Sequence, residues 1–268
     1  MDTWMVTVAL GAVIGLVLAL TGAGGGVLAI PLLVFGLHLP VQQAAPVGLV
    51  AVGLASALGA VLGLRQGIVR YRAAALIGAM GMLMAPLGVL LARYIPNRPL
   101  LGAFALVLIY SAWRILKRRA PQDIDPVSVP CHVSPSDHRL TWTRPCARAL
   151  AGTGLVSGLM SGLLGVGGGF VIVPALTRYT DLDARSIQVT SLAVIALVSV
   201  SGVTAAAMQG SLPWHIAQPF ALGAVVALLL GRLVAGKLDA RRLQQAFAWF
   251  TLMVAVLMLA RAFEWVKF

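Results

Sequence analysis

Charge is what this sequence has least of. Only 10% of its 268 residues are Asp, Glu, Lys or Arg, where a water-soluble domain of this length would carry roughly 25%. The acids are scarcest, eight in all: Asp2, Asp123, Asp125, Asp137, Asp181, Asp183, Asp239 and Glu264. Each lies between apolar runs or near the end of one. No Asp, Glu, His or Cys sits centrally in any apolar run. That excludes a catalytic set buried in a bilayer, and with it the intramembrane carboxylate relay of many proton-coupled pumps. Neither an enzyme nor a cofactor is expected.

Cysteine is almost as rare. Cys131 and Cys146 are the only two, accompanied by His132 and His138. They form no C-x-x-C and the histidines no H-x-x-x-H, so no metal site is expected and all four read as incidental loop residues. Strict apolar–polar alternation is also missing, which argues against a transmembrane β-barrel. The amino terminus, MDTWMVTVAL, lacks the basic start of a secretory signal and is expected to belong to the mature protein.

What remains is apolar. Hydrophobic residues make up 60% of the chain and the mean hydropathy is +0.95. Eight apolar blocks can be drawn at approximately 4–35, 43–64, 73–92, 99–116, 147–177, 186–208, 216–235 and 243–262. Most approach the ~20 residues that cross a bilayer as a helix. The expected fold is therefore an all-α polytopic membrane protein with about eight hydrophobic segments, located in the cell membrane. The formal net charge of +12 lies in clusters between the blocks, as the positive-inside bias requires. It does not signal nucleic-acid binding.

The two halves repeat. Gly22-Ala23-Gly24-Gly25-Gly26 matches Gly165-Val166-Gly167-Gly168-Gly169, 143 positions later. The same offset pairs Gly15 with Gly158, Pro31 with Pro174, Ser56 with Ser199 and Gly59 with Gly202. It further pairs Gln66-Gly67 with Gln209-Gly210, Gly88 with Gly231, and Ala103-Phe104-Ala105 with Ala246-Phe247-Ala248. Chance matches in apolar helices are Ala and Leu, not GxGGG, Pro and Gln-Gly at one offset. The expected organisation is residues 1–116 as a first membrane repeat, 117–146 as a polar cytoplasmic linker and 147–268 as a second repeat. The first and fifth blocks exceed one straight crossing, and glycines interrupt both. If each enters and returns at its glycines, each half crosses an odd number of times and the repeats are inverted, a common plan in secondary transporters.

A glycine turn followed by a helix presents unpaired N–H groups, and two inverted copies aim two such termini at one point. The helix dipoles add positive potential without a buried Lys or Arg. Gly22, Gly24, Gly25 and Gly26 with Gly165, Gly167, Gly168 and Gly169 are thus the expected anion-binding residues. Thr190 and Ser191, near the start of the sixth block, are candidate hydroxyl donors. The null for the glycines is close helix packing, and for the hydroxyls back-bonding to helix carbonyls. Gln66 and Gln209 read as helix-end residues, and His38 and His215 as solvated loop residues.

These features, GLVLALTGAGGGVLAIPLL and GLVSGLMSGLLGVGGGFVIVPAL together with the Gln-Gly pairs and the basic linker, resemble the sulfite exporter TauE/SafE family over about residues 8–262. The family's second motif, Ala followed shortly by Thr-Ser, survives in part: Gln188 precedes Thr190-Ser191, and Ala45-Pro46-Val47-Gly48 lacks both hydroxyls. The resemblance implies a prokaryotic inner-membrane permease exporting sulfite, an organosulfonate or a related small anion. A channel-like or uptake permease for another anion and a membrane assembly or partner-binding protein are the alternatives. The expected partners are a small anionic substrate and the lipid bilayer, with a homo-oligomer allowed and no nucleic acid. A negative cell interior already favours outward anion movement, by about 2.3 kcal/mol per charge per 100 mV, so export needs no coupled ion.

Overall fold

A computed structural model describes residues 3–21, 26–117, 130–132, 142–235 and 240–262. Among these the chain forms ten helices: α1 (Thr3–Thr21), α2 (Ala29–Gly36), α3 (Val41–Arg65), α4 (Tyr71–Tyr94), α5 (Asn97–Lys117), α6 (Arg144–Leu164), α7 (Gly169–Tyr179), α8 (Ala184–Met208), α9 (Trp214–Ala235) and α10 (Ala240–Ala262). Six of them, α3, α4, α5, α6, α8 and α9, are long and apolar enough to cross a membrane by length and composition. The first and fifth blocks of the sequence are each two helices, parted at the glycines.

Local signals mark several starts. Thr143 caps α6 by accepting from the Cys146 N–H at 3.2 Å, and Asp183 caps α8 through Ser186 at 3.1 Å. These side chains satisfy N–H groups that have no partner within the helix. Large apolar side chains remain exposed on the outer faces, among them Leu83, Leu87, Leu222, Leu230 and Met253. In water such a surface would aggregate. Against lipid tails it costs nothing.

The short helices return along the long ones. A Cβ on Gly168 would touch the Ser157 backbone, so α7 begins level with the middle of α6. Its far end comes back to the start of α6: Cys131 donates its N–H to the Tyr179 carbonyl at 3.1 Å and is disulfide-bonded to Cys146. Cys131 and Cys146 are thus fully buried partners, not incidental loop residues. In the same way Gly36, at the end of α2, meets Leu10 early in α1.

The remaining helices pass between two faces. The amino-terminal face carries the starts of α1, α3, α5 and α9 and the ends of α4, α8 and α10. The linker face carries the starts of α4, α6, α8 and α10 and the ends of α3, α5 and α9. Helix α6 runs parallel to α4 at very close range: Cβ atoms on Gly154, Gly158 and Gly162 would overlap the backbone at Ile77, Gly81 and Ala85. Along α1, Gly11 and Gly15 approach the backbone of α9 at Phe220 and Ala224 just as closely. Small residues at this spacing let helix backbones meet where no hydrophobic effect drives them together. Helices α3 and α8 cross antiparallel at the centre, with Leu49 facing Gly202, Gly53 facing Ser199 and Gly63 facing Val189.

Candidate functional site

The glycine turn of the second half is built from left-handed backbone. Gly165, Gly167 and Gly168 have φ of 68°, 74° and 72°, a region that costs an ordinary L-residue roughly 1–2 kcal/mol. The Gly165 N–H closes α6 on the Ser161 carbonyl at 2.7 Å. Three residues later α7 starts at Gly169.

This turn sits between the first half of α3 and the middle of α8. Gly165 lies against the Ala45 backbone, and its carbonyl approaches Gly48. A Cβ on Gly167 would meet Ile195 and Val52; one on Gly26 would meet Val52 and the Val166 carbonyl. Gly26 and the second turn are therefore neighbours around Val52. Gly22, Gly24 and Gly25 lie outside the described residues. Because α2 and α7 run from this point toward opposite faces, the amino-terminal ends of both helices stand near one another at mid-depth.

The two hydroxyl candidates stand about one turn of α8 before Ile195, the residue that Gly167 meets. Thr190 is buried and accepts the Arg70 N–H at 3.1 Å, and Ser191 donates to the Ile187 carbonyl at 2.7 Å. Both lie in the half of α8 near the linker face. Nearer the centre are hydroxyls that the sequence reading did not single out as ligands. Ser56, Ser161 and Ser199 are buried and have no hydrogen-bond partner among the described residues.

Two cavities adjoin the crossing of α3 and α8. The larger, about 620 Å³, is lined almost wholly by apolar side chains such as Val50, Leu54, Leu197 and Val200, with Tyr71 and Trp214 at its ends. Ser199, Tyr71 and Trp214 are its few polar lining residues. The smaller, about 350 Å³, opens at the amino-terminal face and is lined by Gln42, Ala45, Pro46, Leu49, Arg93, Gly162, Ala206, Gln209 and Ser211, among others. Its inner wall includes the last turn of α6 and Ala45, the residue on which Gly165 rests. Leu49 lines both cavities and separates them.

The linker face is shut at the corresponding place. Arg185 donates to the Gln66 carboxamide at 3.2 Å, Ser186 to the Ile68 carbonyl at 2.9 Å, and Val189 fills the space beside Gly63. Gln66 and Gln209 cap the ends of α3 and α8, as the sequence led one to expect; in addition Gln66 is bonded to Arg185 and Gln209 lines a cavity. Gln42 and Arg93 were missed altogether. A lone Arg at a block end reads as a topological charge, and nothing local reveals that α4 delivers it beside α8.

Comparison with known proteins agrees with this architecture. The model of the sulfite exporter TauE/SafE family matches residues 7–258. A "probable membrane transporter protein" of Xylella fastidiosa is 28% identical over 265 residues, covering 96% of this chain and 95% of the relative. Probable membrane transporter proteins of Methanocaldococcus jannaschii and Bacillus subtilis are each 26% identical, over 72% and 70% of this chain. No solved structure matches.

Proposed function

The chain belongs to the sulfite exporter TauE/SafE family, a family of multi-pass membrane transporters rather than enzymes, and on that footing we propose that it exports sulfite, an organosulfonate or a related small anion by alternating access. The observation that carries this reading is the polar-mouthed cavity that opens at one face and is walled by Ala45, the residue on which the glycine turn rests. At the turn the anion meets the amino-terminal ends of α2 and α7. Their aligned peptide dipoles supply positive potential at mid-depth, with Gly26, Gly165, Gly167, Gly168 and Gly169 letting the backbone come close.

The halves act as inverted repeats. Support comes from contacts related by the 143-residue offset: Gly15 meets Ala224 as Gly158 meets Gly81, and Gly231 meets Leu16 as Gly88 meets Leu159. Their equivalence makes the asymmetry of the two ends meaningful. The counterparts of Arg185 and Gln66, bonded at the linker face, are Gln42 and Gln209, which stand apart across the open cavity. Val189 and Gly63 are in contact, while their counterparts Pro46 and Ala206 line that cavity. The fold thus holds one gate closed and its twin open, and transport exchanges them.

Basic residues orient the molecule. Among the described residues Arg65, Arg70, Arg72, Lys117, Arg144, Arg148, Arg178 and Arg185 lie at the linker face, and Arg93, Arg98 and Arg261 at the other. By the positive-inside rule the linker face is cytoplasmic, and the open cavity faces outward.

The test is flux of labelled sulfite, sulfoacetate, taurine and sulfate in proteoliposomes at imposed potentials of either sign. Saturable, potential-dependent flux of one sulfur anion, abolished in a folded Gly167→Leu variant, is expected. Non-saturating flux would point to a channel instead, and absence of flux from folded protein would remove the anion assignment.

A further inference from the structure

We infer that the outward cavity holds a second, peripheral oxyanion site, formed by Arg93 with Gln42 and Gln209, that captures the substrate between the central turn and the medium. The inference rests on the transport reading and adds a site about which the glycine turns say nothing.

Four polar side chains from three segments converge on one cavity of about 350 Å³ that has no Asp or Glu in its lining. Arg93 comes from the last turn of α4, Gln42 from the first turn of α3, and Gln209 and Ser211 from the connection after α8. Gln42 is held in place: its Nε2 donates to the Ile95 carbonyl at 3.0 Å, and the neighbouring Val41 N–H donates to Asn97 Oδ1 at 2.9 Å. That anchors the start of α3 to the connection that follows Arg93 at the end of α4. The carboxamide keeps a second N–H for a ligand.

The donor set matches one chemistry. A guanidinium presents paired N–H groups that match two oxygens of a sulfite, sulfonate or phosphonate head. The carboxamide N–H groups of Gln42 and Gln209 can take the third oxygen, whereas the Ser211 hydroxyl donates to the Ala206 carbonyl at 3.0 Å. A halide has no oxygens for the fork, and a cation would face Arg93 with no carboxylate to balance it. Size allows a small oxyanion with a short organic tail, since Pro46, Leu49 and Ala206 form the apolar part of the wall.

The repeat adds an independent reason. At the linker face the position equivalent to Gln42 is Arg185, whose guanidinium is engaged by Gln66 in closing that end. At the open end the charge has moved to α4 as Arg93, and the two glutamines face each other without bonding. When this end closes, Gln42 and Gln209 converge on the space the anion occupies. The bound oxyanion is therefore released before the gate shuts.

The experiment is equilibrium binding of labelled sulfite and of methanesulfonate to the detergent-solubilised full chain, with dimethyl sulfone as a neutral control, alongside flux in proteoliposomes. Arg93 is exposed, so Arg93→Gln and Arg93→Lys should fold normally. Arg93→Gln is expected to weaken binding about tenfold, a loss in keeping with one charge-assisted pair. Arg93→Lys should fall between it and the wild type, and affinity for wild type alone should drop steeply with salt. Unchanged oxyanion binding in Arg93→Gln would overturn the peripheral site and leave the transport reading standing. Failure of wild type to bind any oxyanion while folded would overturn both.

Discussion

Gly158 shows how much of this molecule is decided by one missing methyl group. A Cβ there would run into the backbone of Gly81, whereas a Cβ on Gly152, two turns earlier on the same helix, would meet nothing. Gly158→Ala should therefore lower the unfolding free energy by about 1–3 kcal/mol, the usual cost of an overpacked contact. Gly152→Ala should be neutral or slightly stabilising, because Ala is the better helix former. Thermal unfolding of the two variants in detergent tests this, and equal midpoints would disprove the close approach. Gly15→Ala, clashing at Ala224, should match Gly158→Ala. The sequence marks Gly15 and Gly158 as a repeated pair, yet it could not say which surface each one meets. That depends on which helices lie side by side, a fact no local window contains.

At the scale of elements, the two gates make a paired prediction. Cysteines placed at Gln66 and Arg185, with Cys131 and Cys146 changed to Ser, should be joined readily by a short bis-maleimide. The product should keep oxyanion binding from the amino-terminal face but lose turnover. Cysteines at Gln42 and Gln209 should react singly with an impermeant maleimide from that face, and cross-linking them should trap the opposite state. Equal reactivity at both ends would deny the asymmetry. The hairpins α1–α2 and α6–α7 were legible beforehand, since blocks too long for one crossing and broken by glycines must turn. The contacts of the hydroxyls were not. Thr190 and Ser191 carry the family-like motif; Thr190 accepts the Arg70 N–H and Ser191 donates to its own helix. Pattern reading cannot separate a hydroxyl that binds ligand from one that satisfies backbone.

For the whole molecule, charge and sulfur chemistry together test the cytoplasmic placing of the linker face. Alkaline phosphatase fused after Ala262 should be active, and the same reporter fused after Lys117 silent, if the linker face is cytoplasmic. A cytosol keeps thiols reduced, so Cys131 and Cys146 should be found as thiols in acid-quenched cells and bridged after isolation in air, by maleimide mass-tagging. Activity after Lys117, with the bridge already present in cells, would reverse the faces and the direction of the open cavity.

Composition, run length and the repeated glycine motifs were enough to determine an all-helical, multi-pass membrane protein of this transporter family. Those properties are one-dimensional: how apolar a stretch is, how long it is, and where it must break. The tertiary structure alone decided that Cys131 and Cys146 pair, that Arg93 stands with Gln42 and Gln209, and that Arg185 meets Gln66 across the linker end. Each of these joins residues from separate helices, and helix packing in a membrane is set by shape between surfaces that share the same apolar composition.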